Sequence, residues 1–111
     1  MPSENKRQII IDHLNKRNYT KFMKLIFDDA KDVANQSKHG LSLSEAEKLE
    51  WEDALIWQDT RRDYGEDRMI ALGVIGERFY CVVYVDREDV QRIISLRKAN
   101  YKEALNYANQ N

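Results

Sequence analysis

The chain has 111 residues, which is the length of one domain and leaves no room for two. Hydrophobic residues make up 42% of it and charged residues 33%, and this mixture excludes a disordered chain. The formal net charge of −1 singles out no class of partner. Basic residues lie toward both ends, and acids dominate from Asp28 to Asp67. The middle therefore presents either a solvated helical face or a surface for a charged partner.

Several functional classes are excluded at the outset. No apolar run approaches the ~20 residues of a membrane span, and the N-terminal residues are charged where a signal peptide is hydrophobic. Cys81 lies alone in an apolar run, so we expect a buried thiol and no disulfide within the chain. His13 and His39 lack the spacing of metal ligands. These features predict a cytoplasmic protein with no cofactor, metal or membrane partner.

Hydrophobic periodicity predicts an amphipathic helix over residues 4–18, followed by a linker at 18–21. Farther along the chain, Gly40 ends one predicted helix. Ser42 with Glu45 fits the start of the next helix as a capping box, and Ser44 with Glu47 is the alternative phase. The predicted elements before the sheet are a strand at 24–27, helices at 28–38 and 42–50, a strand within 52–59 and a polar loop at 60–67. A final helix is predicted at 100–109.

The clearest feature is an antiparallel meander of three strands, predicted at residues 69–75, 78–85 and 90–98. Gly76-Glu77 suits a two-residue type II′ turn between the first two strands, and residues 86–89 form a polar turn into the third. With one or two N-terminal strands added, the sequence predicts an α+β fold with an antiparallel sheet packed by helices on one face.

The predicted register assigns the sheet side chains to two faces. If Ile75 opposes Arg78 and Val85 opposes Val90, the apolar face, which we expect under the helices, holds Arg68, Ile70, Leu72, Val74, Phe79, Cys81, Val83, Val85, Arg92, Ile94 and Leu96. The other face is mixed and rich in small residues, so it is free to stay open. On that open face Arg78 opposes Arg97, a like-charge pair that either holds an anion or diverges into solvent.

Four runs, in this order and spacing, resemble the BrnT toxins, the ribonuclease halves of type II toxin–antitoxin pairs. They are Lys38-His39-Gly40, residues 59–68, Val82-Val83-Tyr84 and residues 92–100. The resemblance covers residue 23 to about residue 107 and implies a RelE-like fold and RNA cleavage. It also implies neutralisation by a BrnA-like ribbon–helix–helix antitoxin, with operator DNA bound only through that antitoxin. Residues 1–22 have no counterpart in this pattern, so the resemblance implies a toxin domain at residues 23–111 preceded by an N-terminal helical extension at residues 1–22.

Metal-independent RNA cleavage needs a base for the 2′-OH, cations for the charge that develops on phosphate, and an acid for the leaving oxygen. The candidate catalytic residues, of which the arginines match family positions, are Lys38, His39, Glu66, Arg68, Arg92 and Arg97. Our hypothesis is a cluster of Arg68 and Arg92 joined by Lys38 and His39. Arg92 and Arg97 are five residues apart, so they share a face only if the strand bulges or Arg97 lies beyond its end.

Each of these residues also has a structural interpretation: His39 as a helix C-terminal residue, Glu66 as a solvated loop acid, and the arginines as members of ion pairs. We expect Arg78, Tyr80 and Lys98 to contact nucleic acid. In a nucleic-acid-binding module the contacts of the open face would come from Arg78, Tyr80, Tyr84 and Arg97. The alternatives to an endoribonuclease toxin are a non-catalytic antitoxin-binding module and a nucleic-acid-binding module on the same fold.

Overall fold

The computed structural model describes residues 24–110, and the predicted helical extension over residues 1–22 lies outside them. Within the described residues five strands form one sheet in the order β1-β5-β4-β3-β2. The strands are β1 (Lys24–Phe27), β2 (Leu55–Gln58), β3 (Met69–Ile75), β4 (Arg78–Arg87) and β5 (Val90–Lys98). The helices are α1 (Asp29–His39), α2 (Tyr101–Gln110) and two 3₁₀ helices, Leu43–Lys48 and Trp51–Asp53. The predicted α+β class, a meander with two N-terminal strands, is confirmed. β1 runs parallel to β5, and the other pairings are antiparallel.

The β3–β4 hairpin has the predicted register. Ile75 opposes Arg78, and the pairing runs without a break to Met69 opposite Tyr84. Gly76 has a φ of 63°, and Glu77 is not among the residues with positive φ. A type II′ turn has this combination, since it demands positive φ at its first central position alone.

The predicted β4–β5 register is wrong by two residues. Arg87, not Val85, opposes Val90, because β4 continues through Asp86 and Arg87 and the turn is only Glu88-Asp89. Glu88 accommodates this tight turn with a φ of 53°. The prediction assigned all of residues 86–89 to the turn because they are polar. The right-handed twist of a hairpin instead favours a connection of two residues.

A β-bulge then changes which residues of β5 share a face. Tyr84 pairs with Ile93 and Val83 pairs with Ser95, so Ile94 is an extra residue in β5. Beyond the bulge every β5 side chain lies on the face opposite to that expected for a regular strand. Arg97 consequently opposes Cys81, and the predicted pairing of Arg78 with Arg97 is wrong.

The helices between β1 and β2 pack on the face that was expected to stay open, which we term the inner face. Its buried residues include Ala71, Gly73, Val82, Tyr84, Ile93 and Leu96. They pack against the 3₁₀ segment, where Leu43, Ala46, Leu49 and Trp51 are buried. A Cβ at Gly73 would lie 3.1 Å from Leu49 Cγ and 3.3 Å from Ala54 Cβ. The small residues therefore mark close packing, which the sequence interpretation took for openness.

The opposite, outer face carries Arg68, Ile70, Leu72, Cys81, Val83, Arg92 and Arg97. Helix α2 covers one end of it, and the rings of Phe79 and Tyr107 lie 5.1 Å apart there. Cys81 is buried as expected, and burial raises the pKa of its thiol to about 11. Ile26 and Trp57, near the two edges of the face, are 39% and 40% exposed. The outer face is thus covered by α2 at one end and partly exposed at its two edges.

Helix α1 has both of its predicted ends. The Asp28 side chain accepts from Lys31 N, and Gly40, at a φ of 73°, closes the helix through a bond to the Gln36 carbonyl. The second predicted helix is a 3₁₀ helix instead, and the carboxylate of Asp32 in α1 accepts from Leu43 N at its start, which ties this segment to α1. The Ser42 side chain accepts from Ser44 N, so the predicted capping box is absent.

Asn35 links α1 to the edge of β5 where β1 has ended. The last pair of β1 is Phe27 with Ile93, so the following β5 backbone groups need other partners. The Asn35 amide donates to the Leu96 carbonyl at 2.8 Å and accepts from Leu96 N at 3.1 Å. It also donates to the Leu41 carbonyl. Neither α-helix of residues 24–110 has the length and hydropathy to cross a bilayer.

Candidate active site

The structure brings three predicted site residues together on the outer face. Glu66 lies in the β2–β3 loop, Arg68 directly before β3, and Arg92 near the start of β5. Arg92 Nη2 donates to Glu66 Oε1 at 2.6 Å, and Arg68 Nε lies 3.5 Å from Glu66 Oε2. These three residues are termed the Glu66 cluster. Its side chains are between 21% and 31% exposed, so a ligand can reach them from the outer face.

Opposing effects determine the charge state of Glu66. Partial desolvation would raise the pKa of its carboxyl, but the hydrogen bond and charge of Arg92, together with those of Arg68, bring the pKa below its usual value. Glu66 is therefore ionised at neutral pH. While both arginines hold it, its carboxylate is a weak base.

Tyr64 supports the guanidinium of Arg68, which lies 4.2 Å from the ring centroid. The Tyr64 hydroxyl donates to Asp59 Oδ2 at 3.1 Å. Asp59 is only 4% exposed and also accepts two bonds from the Arg61 guanidinium, at 2.8 and 2.7 Å. Those bonds hold the pKa of the Asp59 carboxyl well below its usual range. The loop beside the Glu66 cluster is thus ordered around a buried carboxylate.

Because of the bulge, Arg97 lies on the outer face together with Arg92. At the usual rise per residue the two residues are about 13 Å apart along β5. Its guanidinium makes a bidentate ion pair with Glu103 of α2, at 2.9 and 2.8 Å. This pair lowers the pKa of Glu103 to about 2. Glu103 also accepts from Asn100 N, and the Asn100 side chain accepts from Glu103 N, which forms a capping box. In this structure Arg97 anchors α2 and does not join the Glu66 cluster.

The other predicted site residues lie apart from the Glu66 cluster. Lys38 and His39 end α1, and within residues 24–110 no hydrogen bond or ion pair joins them to its three members. Arg78 is exposed at the hairpin, Tyr80 packs against the core of the inner face, and Lys98 pairs with it. The face that was expected to stay open is thus the one covered by helices, and a contact of Arg78, Tyr80 and Lys98 with nucleic acid stays a prediction.

Three residues of the site region had no role in the sequence interpretation: Asp59, Tyr64 and Glu103. The first two lie in a run that carried the family resemblance, but only folding shows their contacts to Arg68. Glu103 had a visible signal, since it stands three residues after Asn100 at the spacing of a capping box. An open cleft of about 770 Å³ lies against the loop and is lined in part by Gln58 and Tyr64. Among the described residues no group of three or more His, Cys, Asp or Glu side chains is placed to hold a metal ion.

Comparisons with known proteins agree with the predicted resemblance. The family model described as ribonuclease toxin, BrnT, of type II toxin-antitoxin system matches residues 27–103. The crystal structure of the Brucella abortus ribonuclease toxin, BrnT, is 28% identical, with a TM-score of 0.57 over 70% of this chain and 97% of that chain. No curated protein matches significantly. The resemblance is thus confirmed, and the chain belongs to the BrnT family of ribonuclease toxins of type II toxin–antitoxin systems.

Proposed function

We propose that this chain cleaves RNA in the cytoplasm without a metal ion, at the Glu66 cluster. Membership of a type II family implies an antitoxin partner. We further propose that this antitoxin is a BrnA-like ribbon–helix–helix protein and that operator DNA is bound only through it. The observation that carries the cleavage proposal is the meeting of two arginines from different elements on one carboxylate.

The chemistry follows from competition for the two guanidiniums. A planar guanidinium binds phosphate oxygens with two parallel bonds, so Arg68 and Arg92 are suited to hold the scissile phosphate and the charge that develops on it. A phosphate that takes these bonds releases Glu66, and the pKa of its carboxyl then rises toward the usual value. Glu66 becomes a better base for the 2′-OH at the moment RNA is bound. Lys38 and His39 stay candidates, from the sequence alone, for a contact to RNA or for the acid.

The test is cleavage of RNA by the purified chain in EDTA, with Arg68→Ala and Arg92→Ala. We expect cleavage by the parent and a fall of about 100- to 1,000-fold in each variant, which is typical for loss of a group that stabilises transition-state charge. Lys48→Ala is the matched control, because Lys48 is an exposed cation in the 3₁₀ segment on the inner side of the sheet. Cleavage that requires a divalent ion, or full activity of both arginine variants, would contradict the proposal.

One observation favours a non-catalytic antitoxin-binding module as the second candidate. The carboxylate of Glu66 already contacts both guanidiniums, so one of the two positive charges of the resting cluster is balanced from within. Intact RNA at high protein concentration, in EDTA and in magnesium, together with co-purification of the antitoxin would favour this module. Retention of RNA without cleavage, lost on Arg78→Ala, would favour a nucleic-acid-binding module instead.

We also propose that residues 23–111 form the toxin domain and residues 1–22 an extension outside it. Two observations support this boundary: β1 begins at Lys24 and the family match begins at residue 27. A chain that starts at Met23 should unfold cooperatively and keep the cleavage activity of the full chain. Loss of the cooperative transition on this truncation would move the domain boundary toward the N-terminus.

A further inference from the structure

Asp59 is the most densely bonded side chain near the Glu66 cluster and is not part of it. It follows β2 directly and is 4% exposed. Its carboxylate accepts from Arg61 N, Arg61 Nε, Arg61 Nη2 and the Tyr64 hydroxyl, over distances of 2.7 to 3.2 Å. A buried carboxylate with this many donors stays ionised and holds the donors in place.

A continuous set of contacts leads from Asp59 to the Glu66 cluster. The hydroxyl bond fixes the Tyr64 ring, and the Arg68 guanidinium lies 4.2 Å from that ring. Arg68 in turn contacts Glu66. The backbone adds a second link, since Asp59 N donates to the Arg68 carbonyl at 2.7 Å. This bond joins the first residue of the β2–β3 loop to the last.

We propose that Asp59 is a positioning residue for RNA cleavage, which holds Tyr64 as the platform that aims Arg68 at the place of the scissile phosphate. This inference rests on the proposed cleavage at the Glu66 cluster. Asp59 does not touch the reacting atoms in this arrangement, because Tyr64 stands between it and Arg68. A residue that only stabilised the loop would change the fraction of folded protein and leave the activity of each folded molecule intact.

The test is single-turnover cleavage by the full chain with excess protein, comparing the parent with Asp59→Asn and Tyr64→Phe. A small misplacement of a catalytic group can cost up to about 100-fold in rate. We expect Asp59→Asn to lower the rate at saturation by about 10- to 100-fold, with the half-saturating protein concentration within about 3-fold of the parent, since the missing interaction acts in the transition state. Tyr64→Phe keeps the aromatic ring and the bonds between Arg61 and Asp59, so the cleavage rate at saturation should fall by a smaller factor.

Asp63→Asn is the matched control. Asp63 is exposed in the same loop, and an amide oxygen can replace its carboxylate as the acceptor from Gly65 N. Parent-like cleavage by Asp63→Asn would show that loss of an acid from this loop is harmless in itself. Should Asp59→Asn not fold, as judged by circular dichroism and thermal melting, Tyr64→Phe decides.

A readout besides activity separates this inference from the proposed function. NMR titration of the Glu66 carboxyl reports how well Arg68 is held, and we expect Asp59→Asn and Tyr64→Phe to raise the Glu66 pKa. Absence of cleavage by the parent in EDTA would overturn the proposed function, whereas the titration still tests the positioning of Arg68. Parent-like cleavage or an unchanged Glu66 titration in both folded variants would overturn the role of Asp59.

Discussion

At the scale of single residues, the carboxylate of Glu66 has two roles. It pairs with Arg68 and Arg92 in the free protein and balances one of their two positive charges, and in the proposed reaction it is the base once phosphate has displaced it. Both roles follow from the same arrangement, because the guanidinium N–H groups that bind the carboxylate are the ones that a phosphate would need. Changing its charge without changing its shape therefore separates binding of RNA from cleavage.

We predict that Glu66→Gln binds RNA more tightly and cleaves it more slowly. Removal of the negative charge leaves two guanidiniums to attract phosphate, so the Kd should fall several-fold. Loss of a general base should lower cleavage by about 100- to 10,000-fold. Fluorescence anisotropy with labelled RNA measures the first effect, and the EDTA cleavage assay measures the second. Cleavage at the parent rate would exclude Glu66 as the base.

At the scale of elements, an ion pair and a ring contact are among the contacts that hold helix α2 to the sheet. The ion pair joins Arg97 to Glu103, and the ring contact joins Phe79 to Tyr107. Arg97 is 40% exposed at its side chain, so solvent screens part of this attraction. We expect Glu103→Gln to lower the free energy of unfolding by about 1 kcal/mol at neutral pH.

The pH dependence of this effect has a definite sign. The usual pKa of a glutamate is near 4.5, and Arg97 lowers that of folded Glu103 to about 2. The ion pair therefore stabilises fully above pH ~4.5, and its contribution is lost as the pH falls toward ~2. Urea unfolding of parent and Glu103→Gln across this range should show the difference in stability shrinking. A difference that stays constant down to pH 2 would mean that the charge of Glu103 does not hold α2.

The side-chain amide of Asn35 links α1 to β5. Asn35→Asp preserves the shape but replaces the two N–H donors that bind the Leu96 and Leu41 carbonyls by a charged oxygen. We predict a loss of about 2 to 4 kcal/mol in the free energy of unfolding by urea, because two carbonyls lose their donor and face a partly buried charge. The control is Gln36→Glu, the same change at the exposed neighbour, with a cost below about 1 kcal/mol. Equal losses in both variants would contradict the role of Asn35.

An element could be predicted from the sequence where its conformation is set by neighbouring residues. Gly76-Glu77 and Gly40 demand particular backbone angles, so the first hairpin and the end of α1 were predicted correctly. The bulge at Ile94 and the fit of Gly73 against Leu49 depend on contacts distant in sequence, and no local pattern reports them. The convergence of Arg68 and Arg92 followed from the sheet, whereas Tyr64 and Asp59 needed the folded loop.

At the scale of the whole molecule, charge is distributed to act locally. The net charge of −1 gives the chain no general attraction for RNA. Within residues 24–110, the arginines on the outer face of the sheet include Arg68, Arg92 and Arg97, and a carboxylate of the same chain pairs with each of them in the free state. RNA binding should thus depend on a few phosphate contacts at the Glu66 cluster, and a small dependence on salt follows.

We predict that Arg92→Ala makes RNA binding less dependent on salt, because the variant loses one phosphate contact. The slope of log K against log salt is about −0.7 per phosphate for single strands, so its magnitude should fall by about 0.7. Glu66→Gln is a suitable background, because slow cleavage leaves the RNA intact during anisotropy measurements. In that background Lys48→Ala should keep the slope, since its cation lies on the inner side of the sheet. If Arg92→Ala weakened binding equally at every salt concentration, its guanidinium would act on the fold of the site and not on a phosphate.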